Sequence, residues 1–339
     1  MKEISVRILL VILGIMIPLA VGEVIVRIFD IPPRPMASSI NIYQLSDDPI
    51  IGYGYRPGYK VSYTAQSSAN KGFEINRDGF RDIEYPVKKP GNTYRIVILG
   101  DSTTAGNGIP LLSDIYAKQL EIMLNQQKDR HYEVLNMGVG GYQTVQEVEL
   151  LENRGLNYDP DLVVLTVCLN DFDLHSDGGV YEELLNENKG YQLPPKAFRF
   201  VLNHSRLAFM IYYRILSGFS RIPYWQWYER SVLRGRDPVQ AGLSTLAALQ
   251  QKRRFSVVVV VLPYFDAHFS QYSHLPLHAK IHDLVRSVAG FKYIDMLDIF
   301  SSVDNDAATF SFDGCHMNSY GHRIVAQSLF SNISSFVRH

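Results

Sequence analysis

The chain is poor in cysteine, carries almost no net charge, and contains neither an internal repeat nor a low-complexity tract. Two cysteines in 339 residues, Cys168 and Cys315, are too few for a disulfide-dense scaffold. Stability must then come from apolar packing, and a hydrophobic content of 46% is ample for it. A formal charge of −1 leaves no concentrated basic surface, which sets nucleic acid aside as a partner. The short basic run Lys252-Arg253-Arg254 closes a helical pattern, where cations face the negative end of the helix dipole and stay solvated. A G-x-S-x-G elbow is also missing, because Thr104 stands at its last position, and this argues against an ordinary α/β-hydrolase. There is no H-E-x-x-H motif. His274, His278 and His282 have the spacing to stack three imidazoles on one helical face around a divalent ion. Pro276 interrupts such a helix, however, and no metal or other cofactor is expected.

One long apolar run is present. Lys2 and Arg7 precede the uncharged stretch Ile8 to Gly22, and continuing the helix through Val24 to Phe29 reaches the ~20 residues a bilayer requires. Residues 1–30 therefore read as an uncleaved signal anchor, a transmembrane helix that exports the rest of the chain to the periplasmic or extracellular side. Ala20-Val21-Gly22, after Pro18, also offers a cleavage site, so secretion after signal-peptide cleavage is the alternative.

Residues 31–93 read as a linker, rich in proline and small residues over 31–39, followed by a small β-rich lead-in with turn signals such as "GYGYRPGYKV" and "INRDGFRD". From Tyr94 onward, short buried-type strands alternate with helical patterns. The strands are expected at 94–100, 132–138, 161–170, 255–263 and 291–296. Helices are expected at 112–127, 144–154, 240–253, 278–289 and 319–336. This alternation predicts an α/β fold, a three-layer sandwich around a parallel, flavodoxin-like five-stranded sheet. Residues 172–238 lack a strand of this type and read as a helical insertion over the ligand crevice. Its cluster Tyr224, Trp225, Trp227 and Tyr228 suits an apolar channel, the membrane interface, or packing on a neighbouring helix.

The chemistry-bearing residues gather at strand ends. "RIVILGDSTTAG" carries a buried strand straight into Ser102, with no bulky apolar side chain following to cover the hydroxyl. Asp and Ser are also common helix caps, so the serine needs partners before it reads as a nucleophile. Asp313 and His316, three residues apart before the last helix, supply an imidazole and a carboxylate able to fix its tautomer. Glycines 138, 140 and 141 after the second strand allow a backbone N–H to approach a ligand. Asn170 ends the third strand with a side-chain amide donor.

Taken in order, "GDS", the "GG" of "NMGVGGYQT", "LND" and "DGCH" resemble the four blocks of the SGNH (GDSL-type) hydrolase family. The resemblance spans about Tyr94 to Val337, and the N-terminal apolar run is similar to that of membrane-tethered bacterial members. It implies Ser102 as nucleophile and first oxyanion donor, Gly141 and Asn170 as the second and third donors, and Asp313 and His316 as the rest of the triad. The resemblance implies Gly141 rather than Gly140, because the family glycine usually lies five residues after the asparagine represented here by Asn136. The implied activity is a serine esterase or deacylase acting on O-acyl esters of a small molecule, an envelope carbohydrate or a lipid. An O-acyltransferase using the same triad is the alternative, and a catalytically silent binding or scaffold module is a third. Cys168 and Cys315 flank these blocks and are expected near the pocket, where an oxidising compartment would allow them to pair.

Overall fold

The structure, a computed structural model, describes residues 2–29, 42–60, 72–174, 201, 205–211, 228–266, 268–288 and 290–337. The chain opens with helix α1 (Lys2–Ile28) and a small antiparallel pair, β1 (Tyr43–Leu45) and β2 (Tyr53–Tyr55). The main unit begins with β3 (Thr93–Leu99), the four-residue helix α2 (Ser102–Ala105), α3 (Tyr116–Asn125) and β4 (His131–Asn136). It continues with α4 (Thr144–Asn153), β5 (Leu162–Cys168), a 3₁₀ turn at Leu169–Phe172, and α5 (Arg206–Ile211). Then come α6 (Pro238–Arg253), β6 (Ser256–Leu262), α7 (Leu275–Arg286), β7 (Phe291–Asp295), α8 (Met296–Val303) and α9 (Ser319–Val337).

Strands β3 to β7 form one parallel sheet in the order β4-β3-β5-β6-β7. Continuous β-branched runs explain it: every residue of β5 is buried, and so is all of "SVVVVVL" in β6 after its first serine. Such strands have no solvent face and need helices on both sides. On one side α3 packs against α9, and on the other α4 packs against α6. Gly242 of α6 permits the second contact, since a Cβ there would lie 2.6 Å from the Thr144 methyl. The order places the β3/β5 boundary at the switch point, where ligands bind beyond the carboxyl ends of the strands.

Several expected elements differ in detail. The helix expected over 112–127 is a 3₁₀ turn, Leu112–Asp114, followed by α3, because Ile115 between them is extended. Helix α8 follows β7 without any intervening turn signal and starts where Asp295 accepts from the Leu297 amide at 3.0 Å. Of the expected insertion, α5 and a π turn at Glu229–Leu233 are described, and Tyr228 is fully buried. Tyr224, Trp225, Trp227 and the 31–39 linker lie outside the described residues. Among the described residues no helix is long and apolar enough to cross a membrane. Many side chains of the Ile8–Gly22 run fall outside that description.

Helix α9 buries His322, whose ring stacks on Tyr116 and whose Nδ1 accepts from the Tyr116 amide at 3.2 Å. Burial, with Arg81 and His316 nearby, pushes its pKa down from 6.5 to about 3. The folded ring thus stays neutral while the unfolded chain takes up a proton, so stability falls as pH drops from 6.5 toward 3. Between pH 7 and pH 4 this one group should remove about 3 kcal/mol. Urea midpoints measured across that range should fall less steeply for His322→Gln; parallel slopes would show that the ring is protonated in the fold.

Candidate active site

Strand β3 delivers Gly100 to a turn where a Cβ would sit 2.0 Å from Thr104 Oγ1, so only glycine fits. Asp101 then caps α2, accepting from the Thr103 amide at 2.9 Å, and Ser102 is the first residue of that helix. The loop before α9 brings its own residues to the same place. His316 Nε2 lies 2.9 Å from Ser102 Oγ, and His316 Nδ1 lies 2.7 Å from Asp313 Oδ2. Because the carboxylate only accepts, Nδ1 carries the proton and Nε2 is left to accept from the serine.

The Asp313 carboxylate also folds the loop. Its Oδ1 accepts from the backbone amides of Cys315 at 2.9 Å and His316 at 2.7 Å. Partial burial works against its charge, but these amides and the His316 ring hold the carboxyl below the ordinary range. Gly314 takes φ +83° in this turn, and its carbonyl accepts from the Phe265 amide at 2.8 Å, which fastens the loop to the end of β6. Phe312 lies parallel to the His316 ring with centroids 6.0 Å apart.

Two further turns complete the rim. After β4, Asn136 accepts from the Gly138 amide and donates to the Thr104 carbonyl, both at 3.0 Å, joining the glycine turn to α2. The Gly140 amide donates to Tyr55 Oη at 3.0 Å and its carbonyl accepts from Tyr53 Oη at 2.8 Å, so that amide is already committed. Gly141 follows with φ +79°, a conformation that favours glycine. Asn170, in the 3₁₀ turn after β5, donates one Nδ2 hydrogen to Asp101 Oδ2 at 3.1 Å, leaving the second N–H of that amide. Asp101 therefore braces both the nucleophile helix and the amide donor.

Residues 98–324 match the GDSL-like Lipase/Acylhydrolase family. The chain belongs to that family. As a member, this acylhydrolase is a serine hydrolase of ester bonds. Similar solved structures include the acetyl xylan esterase AlAXEase, at 16% identity and TM-score 0.43 over 70% of this chain and 99% of that one. Another is Axe2, an acetylxylan esterase from Geobacillus stearothermophilus, at 14% identity and TM-score 0.44 over 71% and 94%. A two-domain esterase active on acetylated mannans aligns at 14% identity and TM-score 0.42 over 74% and 51%. No curated protein matches the sequence.

Two residues outside the four sequence blocks, Arg81 and Asp82, brace the turns of the acylhydrolase site. Arg81 is buried and donates to the carbonyls of Ala105 at 3.1 Å, Gly106 at 2.6 Å and Pro110 at 3.2 Å, and also to that of Ile109. Its guanidinium thus binds the carbonyl end of α2 while lying 3.8 Å from the centroid of the Phe73 ring. Asp82 accepts from the Asn136 amide at 2.7 Å and pairs with Lys118 at 2.7 Å. Burial raises its pKa to about 6 against the pull of Lys118. The only sequence signal was "NRDGFRD", which reads locally as a turn.

The cysteines are both free thiols; Cys168 Sγ donates to Asp101 Oδ1 at 3.2 Å. The three spaced histidines do not converge. His274 precedes α7 and lies 3.3 Å from Asp266, His278 binds Asp295 at 2.9 Å and Tyr272 at 3.0 Å, and His282 packs edge-on to Tyr293. Among the described residues no group of three side chains is arranged to hold a metal ion.

Proposed function

We propose that this protein is a serine esterase or deacylase that cleaves O-acyl esters through an acyl-enzyme. The observation that carries the reading is the hydrogen-bonded line Ser102 Oγ, His316 Nε2, His316 Nδ1, Asp313 Oδ2, with contacts of 2.9 Å and 2.7 Å at its two ends. Ser102 Oγ attacks the ester carbonyl while His316 takes its proton, and Asp313 stabilises the imidazolium that results. The Ser102 and Gly141 amides and the Asn170 side chain donate to the oxyanion. Collapse expels the alcohol, which takes the proton from His316. Water, activated by the same ring, then releases the acid. An acylated envelope carbohydrate or lipid is the proposed substrate. A sugar hydroxyl replacing water would make the same site an acyltransferase.

Incubation with an activated short-chain ester and a fluorophosphonate, with Ser102→Ala as control, tests the enzyme reading. Neither turnover nor labelling would leave only a silent binding module. Acid released without acceptor supports hydrolysis, whereas an acylated saccharide formed only with acceptor supports transfer.

The N-terminal helix is proposed as an uncleaved membrane anchor with the catalytic domain on the exported side. In support, Met16, Ile17, Leu19 and Val21 of α1 are exposed apolar side chains. At the other end α1 is docked: a Cβ on Gly22 would lie 2.9 Å from Leu207, and Glu23 accepts from Ser205 Oγ, the Arg206 amide and the Leu207 amide at 2.8 to 3.0 Å. Cleavage at Ala20-Val21-Gly22 would remove the turn that packs on α5. The mature protein should sediment with membranes, resist extraction by high salt, and keep its original N-terminus. An N-terminal sequence beginning at Glu23 would refute anchoring.

A further inference from the structure

Behind the proposed oxyanion donors lie two carboxyl groups that the mechanism leaves unused. Glu147 on α4 and Asp171 in the 3₁₀ turn after β5 are both buried to within 1% of full exclusion. Asp171 Oδ2 accepts from Thr144 Oγ1 at 2.6 Å, while Oδ1 has no partner. Neither oxygen of Glu147 has one. Thr144 and Glu147 are three residues apart on one helix, so they share a face, and the bond from Thr144 sets Asp171 against that face. Three buried carboxylate oxygens are thereby left without donors, an arrangement that two ionised groups could not sustain. Burial raises the proton affinity of both; Asp171 and then Asp101 add repulsion at Glu147, while at Asp171 repulsion from Asp101 is opposed by the Thr144 hydroxyl and by the Cys168 and Thr144 amides.

We infer that Glu147 and Asp171 share one proton, and that this acid–carboxylate contact is a clasp positioning the oxyanion donors. One carboxylic O–H donating to the neighbouring carboxylate would satisfy two of the three orphan oxygens. The clasp joins two segments that matter: Asp171 directly follows Asn170, and α4 begins three residues after Gly141. Gln143 Nε2, donating to the Asp173 carbonyl at 2.9 Å, spans the same junction. Among the described residues, the groups facing the pair from neighbouring elements offer no cation in contact. They are Asp101 before α2, Cys168 on β5 and Tyr264 after β6. Helix α6 presents Gly242 to Thr144, and Lys280 of α7 lies over Phe172 and pairs with Asp237. The inference rests on Gly141 and Asn170 acting as donors in the proposed function.

The test is the pH dependence of kcat and KM on an activated short-chain ester for the wild type, Glu147→Gln, Glu147→Ala and Asp171→Asn. Removing the shared proton puts two charges in the interior, so wild-type kcat should fall at alkaline pH with KM little changed. Glu147→Gln can donate an N–H to Asp171 and should keep neutral-pH kcat while losing that alkaline fall. Glu147→Ala should lower kcat about 10- to 100-fold at constant KM, since a displaced donor costs somewhat less than an absent one. An identical alkaline limb in Glu147→Gln, or wild-type kcat in Glu147→Ala, would overturn the clasp. Infrared spectra give a readout that does not depend on catalysis: a protonated carboxyl band at neutral pH in the wild type, missing from Glu147→Gln. Absence of that band in the wild type also overturns it. Fluorophosphonate labelling of Ser102 in every variant separates failure of the clasp from failure of the triad reading.

Discussion

Ser102→Ala should lower turnover of an activated ester by about 10⁴-fold or more and abolish fluorophosphonate labelling. The size follows from the role proposed: without the hydroxyl no acyl-enzyme forms, and only substrate binding and oxyanion donation remain. The fold should not notice the change. Among the described residues Ser102 Oγ hydrogen-bonds only to His316 at 2.9 Å and, weakly, Asp101 at 3.5 Å, and its side chain is not fully buried. Unchanged urea midpoints with lost activity would therefore locate the defect in chemistry. Turnover within tenfold of wild type would instead move the nucleophile elsewhere.

Asp313→Asn should cost about 10⁴-fold in kcat at neutral pH, for a different reason. An amide NH₂ placed 2.7 Å from Nδ1 would donate to it, driving the ring proton onto Nε2 and turning it toward Ser102. The base would then face the nucleophile with a hydrogen instead of a lone pair. Retention of an oxygen at Oδ1 would still allow the Cys315 and His316 amides to be satisfied, so the loop should keep its shape. KM near wild type with the full loss in kcat is the expected pattern. A loss carried by KM, or by unfolding, would assign Asp313 to the loop alone.

The readability of the fold differed sharply between regions. The strands were legible because burial on both faces demands unbroken apolar runs, as in "SVVVVVL", and glycine marks the turns after β3 and β4. Helix α8 was not, because β7 enters it directly at Asp295 with neither glycine nor proline between them. Arg81 was invisible for a related reason. Its partners are four backbone carbonyls 24 to 29 residues away, and carbonyls carry no residue identity. Tyr53 and Tyr55 likewise hold Gly140 across 85 or more residues, a contact that β1–β2 patterning does not announce.

By itself, the sequence determined which chemical groups exist and at which strand ends they stand: Ser102 after β3, the glycines after β4, Asn170 after β5, and Asp313 with His316 three residues apart before α9. Local spacing carries that information, since a parallel sheet sends all its carboxyl ends to one side. Only the tertiary structure decided how those groups are held. It brought a ring from residue 316 to within 2.9 Å of a hydroxyl at residue 102, and committed the Gly140 amide to Tyr55 Oη at 3.0 Å. It also buried Glu147 and Asp171, and left both oxygens of the first and one of the second without a hydrogen-bond donor among the described residues. Such pairings are set by packing between segments far apart in the chain, and burial, which fixes their protonation, is a property of the folded volume and not of any stretch of residues.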